Sequence, residues 1–521
     1  MKQVIQNISN GETVVTDIPC PLNIDGNVLI ETRNSLVSIG TERMLVNFGK
    51  SNYLEKAMQQ PEKSKEVLDK LKTEGFSSTI AAVNAKLEQP LALGYCNAGV
   101  IIESSIDGLS KGDRVISNGC HAEIVRVPKH LCAKIPDNVD DESAAFTIVG
   151  SIALQGIRLV NPTLGELVVV SGLGLIGLIT VQLLIANGCR VLGIDIDPKR
   201  CELARQFGAD VVDVSSGEDP LDASIKLSKG NGVDAVIITA SSKSNALIHQ
   251  AAEMCRKRAR IILVGVVGLD LRREDFYEKE LSFQVSSSYG PGRYDRNYEE
   301  LGNDYPIGFV RWTEQRNFEA VLEMMSCKKL DVKPLISHRY EITKAAVAYS
   351  LINDSSALGI ILDYPPQESA KLRKSIVKLD NDIKVSFEPS RPIVGLIGAG
   401  NYASRILIPA LKKTSANLEM IVTSGGVSAI HNAKKAQFAK ASTNIQDTLS
   451  NKDINTVVIA TRHDLHAEQV VSSLQSGKNV FVEKPLSITL DELNLIKKTY
   501  YEVNENRTEP LRLMVGFNRR F

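Results

Sequence analysis

The sequence lacks several features that would place it in other classes of protein. Its 521 residues contain 61 basic and 61 acidic side chains, so it has no net charge that would attract nucleic acid. No apolar run reaches the roughly 18 residues of a membrane span, and the start contains no apolar segment of signal-peptide length. Aromatic residues make up only 5% of the chain, with a single tryptophan. We therefore expect a globular protein whose partners are neither nucleic acid nor membrane.

Paired cysteines are also missing. The eight cysteines include no CxxC motif, and scattered thiols in a chain of this length are typical of a reducing compartment. We predict free thiols and a cytoplasmic location. The length corresponds to three or four domains of about 150 residues each.

Two glycine-rich loops are the most informative features that are present. They read Gly172-Leu173-Gly174-Leu175-Ile176-Gly177 and Gly398-Ala399-Gly400-Asn401-Tyr402-Ala403. Each follows an apolar run and opens a helix-like segment, which is the context a dinucleotide-binding loop requires. The first glycine permits a tight turn, the second lets the backbone approach a pyrophosphate, and the third small residue lets helix and strand pack closely. We predict that the glycines and Ala403 of these loops bind two dinucleotide cofactors at helix N-termini.

Strand-like and helix-like segments alternate after each loop, whereas the first part of the chain has short β-like runs. The predicted fold class is α/β, with a β-rich domain and a Rossmann domain followed by a second Rossmann domain. The predicted domains are residues 1–150, completed by 295–364, then 151–294, and finally 392–521. A helical insertion is predicted from 52 to 87, and a linker from 365 to 391.

The choice of cofactor differs between the two predicted Rossmann domains. Asp195 ends the second strand, 23 positions after Gly172. A carboxylate there accepts hydrogen bonds from the adenosine ribose and repels a 2′-phosphate, so we predict NAD in the first domain. The corresponding strand of the second domain ends in Val422, Thr423 and Ser424, without a carboxylate. The second domain is therefore predicted to bind NAD or NADP.

Several phrases around the first loop occur in a fixed order. They are Lys111-Gly112-Asp113-Arg114-Val115, Ala122-Glu123, Lys134-Ile135-Pro136-Asp137, Glu142-Ser143-Ala144-Ala145 and Phe207-Gly208-Ala209-Asp210. Together they resemble the medium-chain dehydrogenase/reductase superfamily, the alcohol dehydrogenase-like proteins, over residues 1–364. The resemblance implies a GroES-like catalytic domain with an NAD-binding Rossmann domain inserted into it.

The sequence departs from the zinc enzymes of that superfamily at their metal-binding segments. The stretch from Ser38 to Glu42 contains no cysteine, and Gly94-Tyr95-Cys96 stands where those enzymes have Gly-His-Glu. A catalytic zinc needs three protein ligands, so we predict that none is bound. We expect Tyr95 to donate a proton to a carbonyl oxygen, with Thr41 or Ser38 as relay. The alternative is that Tyr95 simply fills the space of the missing metal.

An arginine-rich segment follows the first Rossmann pattern and contains the only tryptophan. Its arginines and aspartates are Arg293, Asp295, Arg296, Asp304, Arg311 and Arg316. Arginine binds carboxylates and phosphates in bidentate geometry. The segment either recognises an anionic sugar or is a solvated loop held by internal arginine–aspartate pairs.

The C-terminal part carries three further phrases. They are Ile459-Ala460-Thr461-Arg462-His463-Asp464-Leu465-His466-Ala467, Asn479-Val480-Phe481-Val482-Glu483-Lys484-Pro485 and Val515-Gly516-Phe517-Asn518-Arg519-Arg520-Phe521. They resemble the Gfo/Idh/MocA oxidoreductase family. The resemblance implies that Lys484 polarises a substrate hydroxyl beside the nicotinamide, and that Thr461, His466 and Glu483 contact the cofactor. For His466 the alternative is capping and packing. The chain ends where the substrate domain of that family would begin, so we expect either a fragment or a cofactor-binding remnant.

The combination resembles bi-domain oxidoreductases of surface-polysaccharide pathways. It implies hydride transfer between a nicotinamide and an alcohol or carbonyl carbon of a sugar or nucleotide sugar, by a protein that forms a homo-oligomer. Two alternatives stay open: a non-catalytic nucleotide-binding redox sensor or scaffold, and a zinc-free quinone or enoyl reductase.

Overall fold

The computed structural model describes residues 1–51, 87–379 and 391–517. The predicted insertion at 52–87 therefore lies outside the described residues except for its last position. The second half of the predicted linker and the four terminal residues also lie outside them. Within the described ranges, no helix is long and apolar enough to cross a membrane.

The strands are numbered along the chain. They are β1 Lys2–Gln6, β2 Thr13–Asp17, β3 Asn27–Ser38, β4 Leu91–Ala92, β5 Asn97–Ser104, β6 Arg114–Ser117, β7 Ile124–Pro128, β8 Cys132–Lys134, β9 Leu167–Ser171, β10 Arg190–Asp195, β11 Asp210–Asp213, β12 Val233–Ile238, β13 Cys255–Leu263, β14 Ser282–Val285, β15 Ile336–Glu341, β16 Gly359–Asp363, β17 Ile376–Lys378, β18 Ile393–Ile397, β19 Asn417–Val422, β20 Lys440–Ser442, β21 Thr456–Ile459, β22 Asn479–Glu483 and β23 Leu513–Gly516.

The helices are numbered in the same way. They are α1 Ile39–Lys50, α2 Asp141–Ala144, α3 Thr147–Val160, α4 Leu175–Ala186, α5 Pro198–Gln206, α6 Pro220–Leu227, α7 Ala246–Met254, α8 Arg273–Tyr277, α9 Arg296–Glu299, α10 Glu314–Ser326, α11 Ala345–Ser350, α12 Ser369–Leu372, α13 Ile408–Lys412, α14 Gly426–Ala436, α15 Ile445–Leu449, α16 His466–Gln475 and α17 Leu490–Asn504.

Contacts divide the chain into two compact units. The central unit comprises Asn23–Leu45 and Leu93–Pro366, and the terminal unit comprises Met1–Leu22, Val46–Ala92 and Gln367–Phe521. The predicted domain of residues 1–150 is thus divided between the two units. The reason lies in backbone pairing within the terminal unit, where the Cys20 N–H donates to the Lys374 carbonyl at 2.9 Å and the Thr443 hydroxyl donates to the Cys20 carbonyl.

The central unit combines a β-rich sheet with a Rossmann sheet. The β-rich sheet has the order β15-β16-β3-β5-β6-β8, with β7 also paired to β3. The Rossmann sheet has the order β11-β10-β9-β12-β13-β14, and its strands are parallel. This order is the doubly wound arrangement in which ligands bind beyond the carboxyl ends of the strands. Strand β9 is buried along its whole length, as expected for a strand covered on both faces.

The terminal unit contains the second Rossmann sheet. Its order is β17-β20-β19-β18-β21-β22-β23, and every neighbouring pair is parallel except β17 with β20. Strand β17 falls within the predicted linker of 365–391, so this part of the linker is instead an edge strand of the sheet. A separate small sheet has the order β2-β1-β4.

Strand β13 begins at Cys255, several residues before its apolar stretch. The charged run from Arg256 to Arg258 conceals this start, because it lacks the apolar signal of a buried strand. In the structure these side chains are paired: Arg256 Nε lies 2.7 Å from Asp234 Oδ1, and Arg258 Nε lies 2.7 Å from Glu280 Oε2.

Candidate functional site

The first glycine loop joins β9 to α4. Gly172 has a φ of 98°, a left-handed conformation that side chains rarely adopt, and a Cβ there would lie 2.6 Å from the Ala240 backbone N. A Cβ on Gly174 would meet nothing within 4 Å, so the loop is open on the side where a pyrophosphate would approach. A Cβ on Gly177 would lie 2.0 Å from the Gly172 carbonyl oxygen. The three glycines therefore have the turn, approach and packing geometry of a dinucleotide loop.

Asp195 lies beside this loop at the carboxyl end of β10. Its Oδ2 accepts a hydrogen bond from the Leu173 N–H at 2.5 Å, and its Oδ1 accepts from the N–H groups of Ile196 and Asp197 at 2.7 and 2.9 Å. These backbone donors fix the carboxylate at the edge of the glycine loop. From this position the carboxylate can accept hydrogen bonds from ribose hydroxyls and would repel a 2′-phosphate.

The second glycine loop follows β18 with related geometry. Gly398 has a φ of 96°, and its N–H donates to the Val422 carbonyl at 2.8 Å, as Gly172 does to the Ile194 carbonyl. A Cβ on Gly400 would again meet nothing within 4 Å. Ala403 is buried and begins a short π-helical turn, Ala403–Leu407, before α13. The wider turn accommodates a methyl group where the first loop has a glycine.

The Gfo/Idh/MocA-like residues lie at the carboxyl ends of β21 and β22. His466 is fully buried, and its Nδ1 and Nε2 lie 2.6 and 3.3 Å from the carbonyl oxygens of Pro485 and Thr461. The ring thus connects the loops after the two strands, which agrees with the packing alternative, and cofactor contact stays a prediction. Glu483 is buried at the end of β22, whereas Lys484 is exposed.

Tyr95 and Thr41 come together in the central unit. The Tyr95 hydroxyl donates to Thr41 Oγ1 at 3.1 Å. Desolvation raises the pKa of Tyr95 far above its usual value, with further raising effects from Cys96 and Glu42, whereas hydrogen bonding to Ser38 and Thr41 acts in the opposite direction. The phenol is therefore held in its protonated form. A protonated phenol can donate a hydrogen bond to a carbonyl oxygen or alkoxide.

A buried polar network lies behind this pair. Glu42 and His121 are both 0% exposed, and Glu42 Oε2 lies 3.4 Å from His121 Nε2. The Tyr349 hydroxyl donates to Glu42 Oε2, and the Ser38 N–H donates to Glu42 Oε1 at 3.0 Å. Burial raises the pKa of Tyr349 well above its usual value. On the other side of the ring, His121 Nδ1 lies 2.7 Å from Ser35 Oγ.

Sequence reasoning missed His121 and Tyr349. They are separated from Glu42 by 79 and 307 positions (121 − 42 and 349 − 42), so no local spacing reveals the contact. The sequence shows only a glycine at position 94, before Tyr95; the structure gives its reason, because a Cβ there would lie 2.5 Å from His121 Cγ. The glycine that precedes Tyr95 is thus explained by the close approach of an imidazole ring.

The side chains around Tyr95 do not fit a catalytic zinc. Tyr95 and Thr41 offer a phenol and an alcohol, and burial raises the pKa of Cys96 well above the range in which thiolates form. Both oxygens of Glu42 already accept hydrogen bonds from protein groups. Among the described residues, no group of three or more His, Cys, Asp or Glu side chains could hold a metal ion. Absence of zinc remains a prediction, and no catalytic step here depends on a metal.

The arginine-rich segment is largely held by internal ion pairs. Arg293 Nη1 lies 2.6 Å from Glu299 Oε1, Arg296 Nε lies 2.8 Å from Glu300 Oε2, and Arg316 pairs with Asp304. Only Arg316 has the aspartate partner that the loop interpretation expected, whereas Arg293 and Arg296 pair with glutamates. Among the described residues, Arg311 has no acidic side chain within ion-pair distance.

Two segments of the chain match known families. Residues 176–302 match the family described as zinc-binding dehydrogenase. Residues 393–506 match the Gfo/Idh/MocA family, described as an oxidoreductase family with an NAD-binding Rossmann fold. The predicted two-part architecture and the prediction of an NAD(P)-dependent oxidoreductase are confirmed.

Individual relatives and solved structures agree with this assignment. Sorbitol dehydrogenase of Homo sapiens is 25% identical over 319 residues, covering 55% of this chain and 83% of that protein. L-idonate 5-dehydrogenase of Vitis vinifera is 25% identical over 305 residues, covering 52% and 77%. The alcohol dehydrogenase TADH of Thermus sp. ATN1 superposes with a TM-score of 0.53 at 20% identity, covering 70% of this chain and all of that one, which supports the α/β fold.

Proposed function

Because this chain combines a zinc-binding dehydrogenase-type region with a Gfo/Idh/MocA Rossmann region, we propose that it interconverts a polyhydroxylated alcohol and its carbonyl form with NAD, without zinc. The names of the relatives, sorbitol dehydrogenase and L-idonate 5-dehydrogenase, support a polyol or sugar acid as the substrate class. We extend the proposal to a sugar or nucleotide sugar of polysaccharide biosynthesis, on the resemblance to bi-domain oxidoreductases.

The contact between Tyr95 and Thr41 is the observation that carries this proposal. A bound nicotinamide would supply or accept the hydride. In the reducing direction Tyr95 donates its proton to the carbonyl oxygen, and the Thr41 hydroxyl relays a proton from solvent water to the phenolate. The raised pKa of Tyr95 keeps the phenol protonated, so it can donate a hydrogen bond to the oxygen on which negative charge develops.

For the terminal unit we propose cofactor binding and one substrate contact. Its open glycine loop supports binding of a second nicotinamide cofactor, and the exposed Lys484 supports contact with a substrate hydroxyl. We propose NAD or NADP as its cofactor, because Thr423 at the end of β19 neither repels nor requires a 2′-phosphate.

The test is NAD reduction by the purified chain over a panel of polyols, sugar acids and nucleotide sugars. We expect Tyr95→Phe to reduce kcat by about 100- to 10,000-fold while NADH binding persists, because loss of a general acid typically costs this much. Tyr294→Phe, at a tyrosine 74% exposed, is the matched control and should leave kcat unchanged.

Other outcomes of this test would replace the proposal. Tight NADH binding without turnover of any substrate would favour the redox sensor or scaffold. NADH oxidation by simple quinones, with no polyol activity, would favour the zinc-free quinone reductase. Unchanged turnover in Tyr95→Phe would show that Tyr95 only fills the space of the missing metal.

A further inference from the structure

The hydroxyl pair of Tyr95 and Thr41 has a buried polar pair behind it. Tyr95 is half-buried and Thr41 is exposed, whereas Glu42 and His121 are both 0% exposed. Glu42 Oε2 lies 3.4 Å from His121 Nε2, and this nitrogen makes no hydrogen bond with the described residues. Replacing such a buried pair by apolar residues is often neutral for stability, which favours a role in fixing geometry.

Glu42 holds the segment that carries Thr41. It lies in the first turn of α1, and its Oε1 accepts a hydrogen bond from the N–H of Ser38, the last residue of β3, at 3.0 Å. A carboxylate that reaches back to a backbone N–H in this way holds the first turn of a helix in place. The Tyr349 hydroxyl donates to the other oxygen of Glu42. The turn that presents Thr41 is therefore anchored by its sequence neighbour.

His121 holds the segment that carries Tyr95. The His121 N–H donates to the Leu93 carbonyl at 2.8 Å, and a Cβ on Gly94 would lie 2.5 Å from His121 Cγ. The imidazole thus lies directly against the backbone before Tyr95. Its Nδ1 lies 2.7 Å from Ser35 Oγ, so rotation of the ring would break that contact. The backbone before Tyr95 therefore rests on a fixed surface.

Backbone pairing joins the same two segments further from the hydroxyl groups. The Leu36 N–H donates to the Cys96 carbonyl at 3.0 Å. Leu36 stands five positions before Thr41 (41 − 36), on the other side of the corner between β3 and α1. The contact of Glu42 with His121 joins the segments on the Thr41 side of that corner.

We propose that Glu42 and His121 are positioning residues for Tyr95: their buried contact holds the turn that carries Thr41 against the backbone that carries Tyr95. This role rests on the proposed function, in which Tyr95 is the proton donor. A proton donor must lie within hydrogen-bond reach of its acceptor, and a misplacement of about 1 Å can cost about a hundredfold in rate. Glu42 and His121 thus act on the reaction through Tyr95.

Kinetics of His121→Phe test this role, because the substitution keeps a ring against Gly94 and removes both ring nitrogens. We expect kcat to fall by about 10- to 100-fold, while KM for the polyol and Kd for NADH stay within about twofold. In the Tyr95→Phe background the same substitution should change kcat by less than about twofold, since no proton donor is left to position.

Variants of Glu42 test the other side of the contact. Glu42→Ala should lower kcat selectively, as His121→Phe does, whereas Glu42→Gln keeps an acceptor for the Ser38 N–H and should recover most of the activity. Glu278→Gln, at an exposed glutamate after α8, is the matched control and should leave kcat unchanged. Unfolding in urea gives the folded fraction of each variant. A kcat that falls only in proportion to that fraction would overturn the proposal.

Amide hydrogen exchange gives a readout that needs no turnover. We expect Glu42→Ala to raise exchange in residues 93–98, across the contact, and His121→Phe to raise it in residues 36–44. A rise confined to the segment that carries the substitution would overturn the positioning role.

The outcomes separate this role from the proposed function. Equal falls in kcat for His121→Phe in the parent and Tyr95→Phe backgrounds would overturn the positioning role and leave Tyr95 as the proton donor. Unchanged turnover in Tyr95→Phe would refute the donor, and the positioning role would fall with it. A protein that turns over no polyol would refute the proposed function, and exchange raised on both sides would still support the contact as the link between the two segments.

Discussion

The two glycine loops make the same turn, but they differ in the space left for a side chain at the third position of the motif. In the first loop a Cβ on Gly177 would lie 2.0 Å from the Gly172 carbonyl oxygen, and a regular helix follows. In the second, Ala403 occupies the same position, and a π-helical turn precedes the helix. In these two loops the size of the third residue varies with the helix that follows: glycine precedes a regular helix, and alanine precedes a π-helical turn.

The loops also differ in what lies beside them. Asp195 faces the first loop with a carboxylate held by backbone amides. At the matching strand end of the terminal unit, Thr423 donates its hydroxyl to the Gly425 carbonyl at 2.6 Å. We therefore predict that the first site discriminates against a 2′-phosphate and that the second does not.

The largest effect is expected from exchanging the third residue of each loop. Gly177→Val should lower the NADH affinity of the central unit by about a hundredfold or more, because overpacking at this contact costs about 3 kcal/mol. Ala403→Gly should leave binding in the terminal unit nearly unchanged. Calorimetric titration with NADH gives the number of sites and the affinity in each variant. Similar losses in both variants would contradict the difference in tightness.

Exchanging the strand-end residues should reverse cofactor preference. Asp195→Ser should raise NADPH affinity relative to NADH by about 10- to 100-fold in the central unit, since a charge repulsion of about 1.4–2.7 kcal/mol is removed. Thr423→Asp should impose NADH preference on the terminal unit. Titrations with NADH and NADPH measure the ratio at each site. An unchanged ratio in Asp195→Ser would show that the carboxylate is not the discriminating group.

The central unit also contains a buried acid, Glu314. Neither of its carboxylate oxygens has a hydrogen-bond partner among the described residues, and burial raises the pKa of Glu314 to about 8, with Glu299 adding to the effect. The folded state thus holds a proton that the unfolded state releases above about pH 4.5.

The contribution of Glu314 to stability is complete below about pH 4.5 and is lost as the pH rises to about 8. The slope is about 1.4 kcal/mol of unfolding free energy per pH unit. Glu314→Gln should remove this slope, which denaturation in urea at pH 5, 6.5 and 8 would show as a difference from the parent protein. Parallel pH profiles for the two proteins would exclude a neutral Glu314.

The smallest effect concerns the histidine that connects two loops of the terminal unit. His466→Phe keeps a ring of similar size and removes the hydrogen bond to the Pro485 carbonyl, the nearer of the two carbonyl oxygens, so we expect a loss of about 1–2 kcal/mol in the free energy of unfolding. His463→Phe, at an exposed neighbour, is the control. Thermal unfolding measures the loss of stability in both variants. Lower NADH affinity in His466→Phe with unchanged Tm would instead support direct cofactor contact.

Much of the fold could be predicted from local pattern. The apolar run before the first glycine loop is the buried parallel strand β9, and Asp195 ends the next strand, β10, as the sequence predicted. The extra length of β13 could not be predicted, since its charged residues are paired by distant partners.

The candidate site was predictable only in part. Tyr95 and Thr41 were identified by their places in family motifs, and the structure brings them together. The contacts of His121 and of Tyr349 with Glu42 were not predicted. They join residues tens to hundreds of positions apart, and such contacts leave no periodic signal in one sequence. The arginine-rich segment shows the same limit: sequence alone could not separate its paired arginines from Arg311.

The sequence by itself determined that this chain has two dinucleotide loops, because turn geometry at Gly172 and Gly398 depends on the absence of a side chain and is therefore written into residue identity. Only the tertiary structure decided which charged groups are neutralised. Whether Glu42 lies beside His121, or Arg316 beside Asp304, depends on which distant elements pack together, because electrostatic pairing follows distance in space rather than order along the chain.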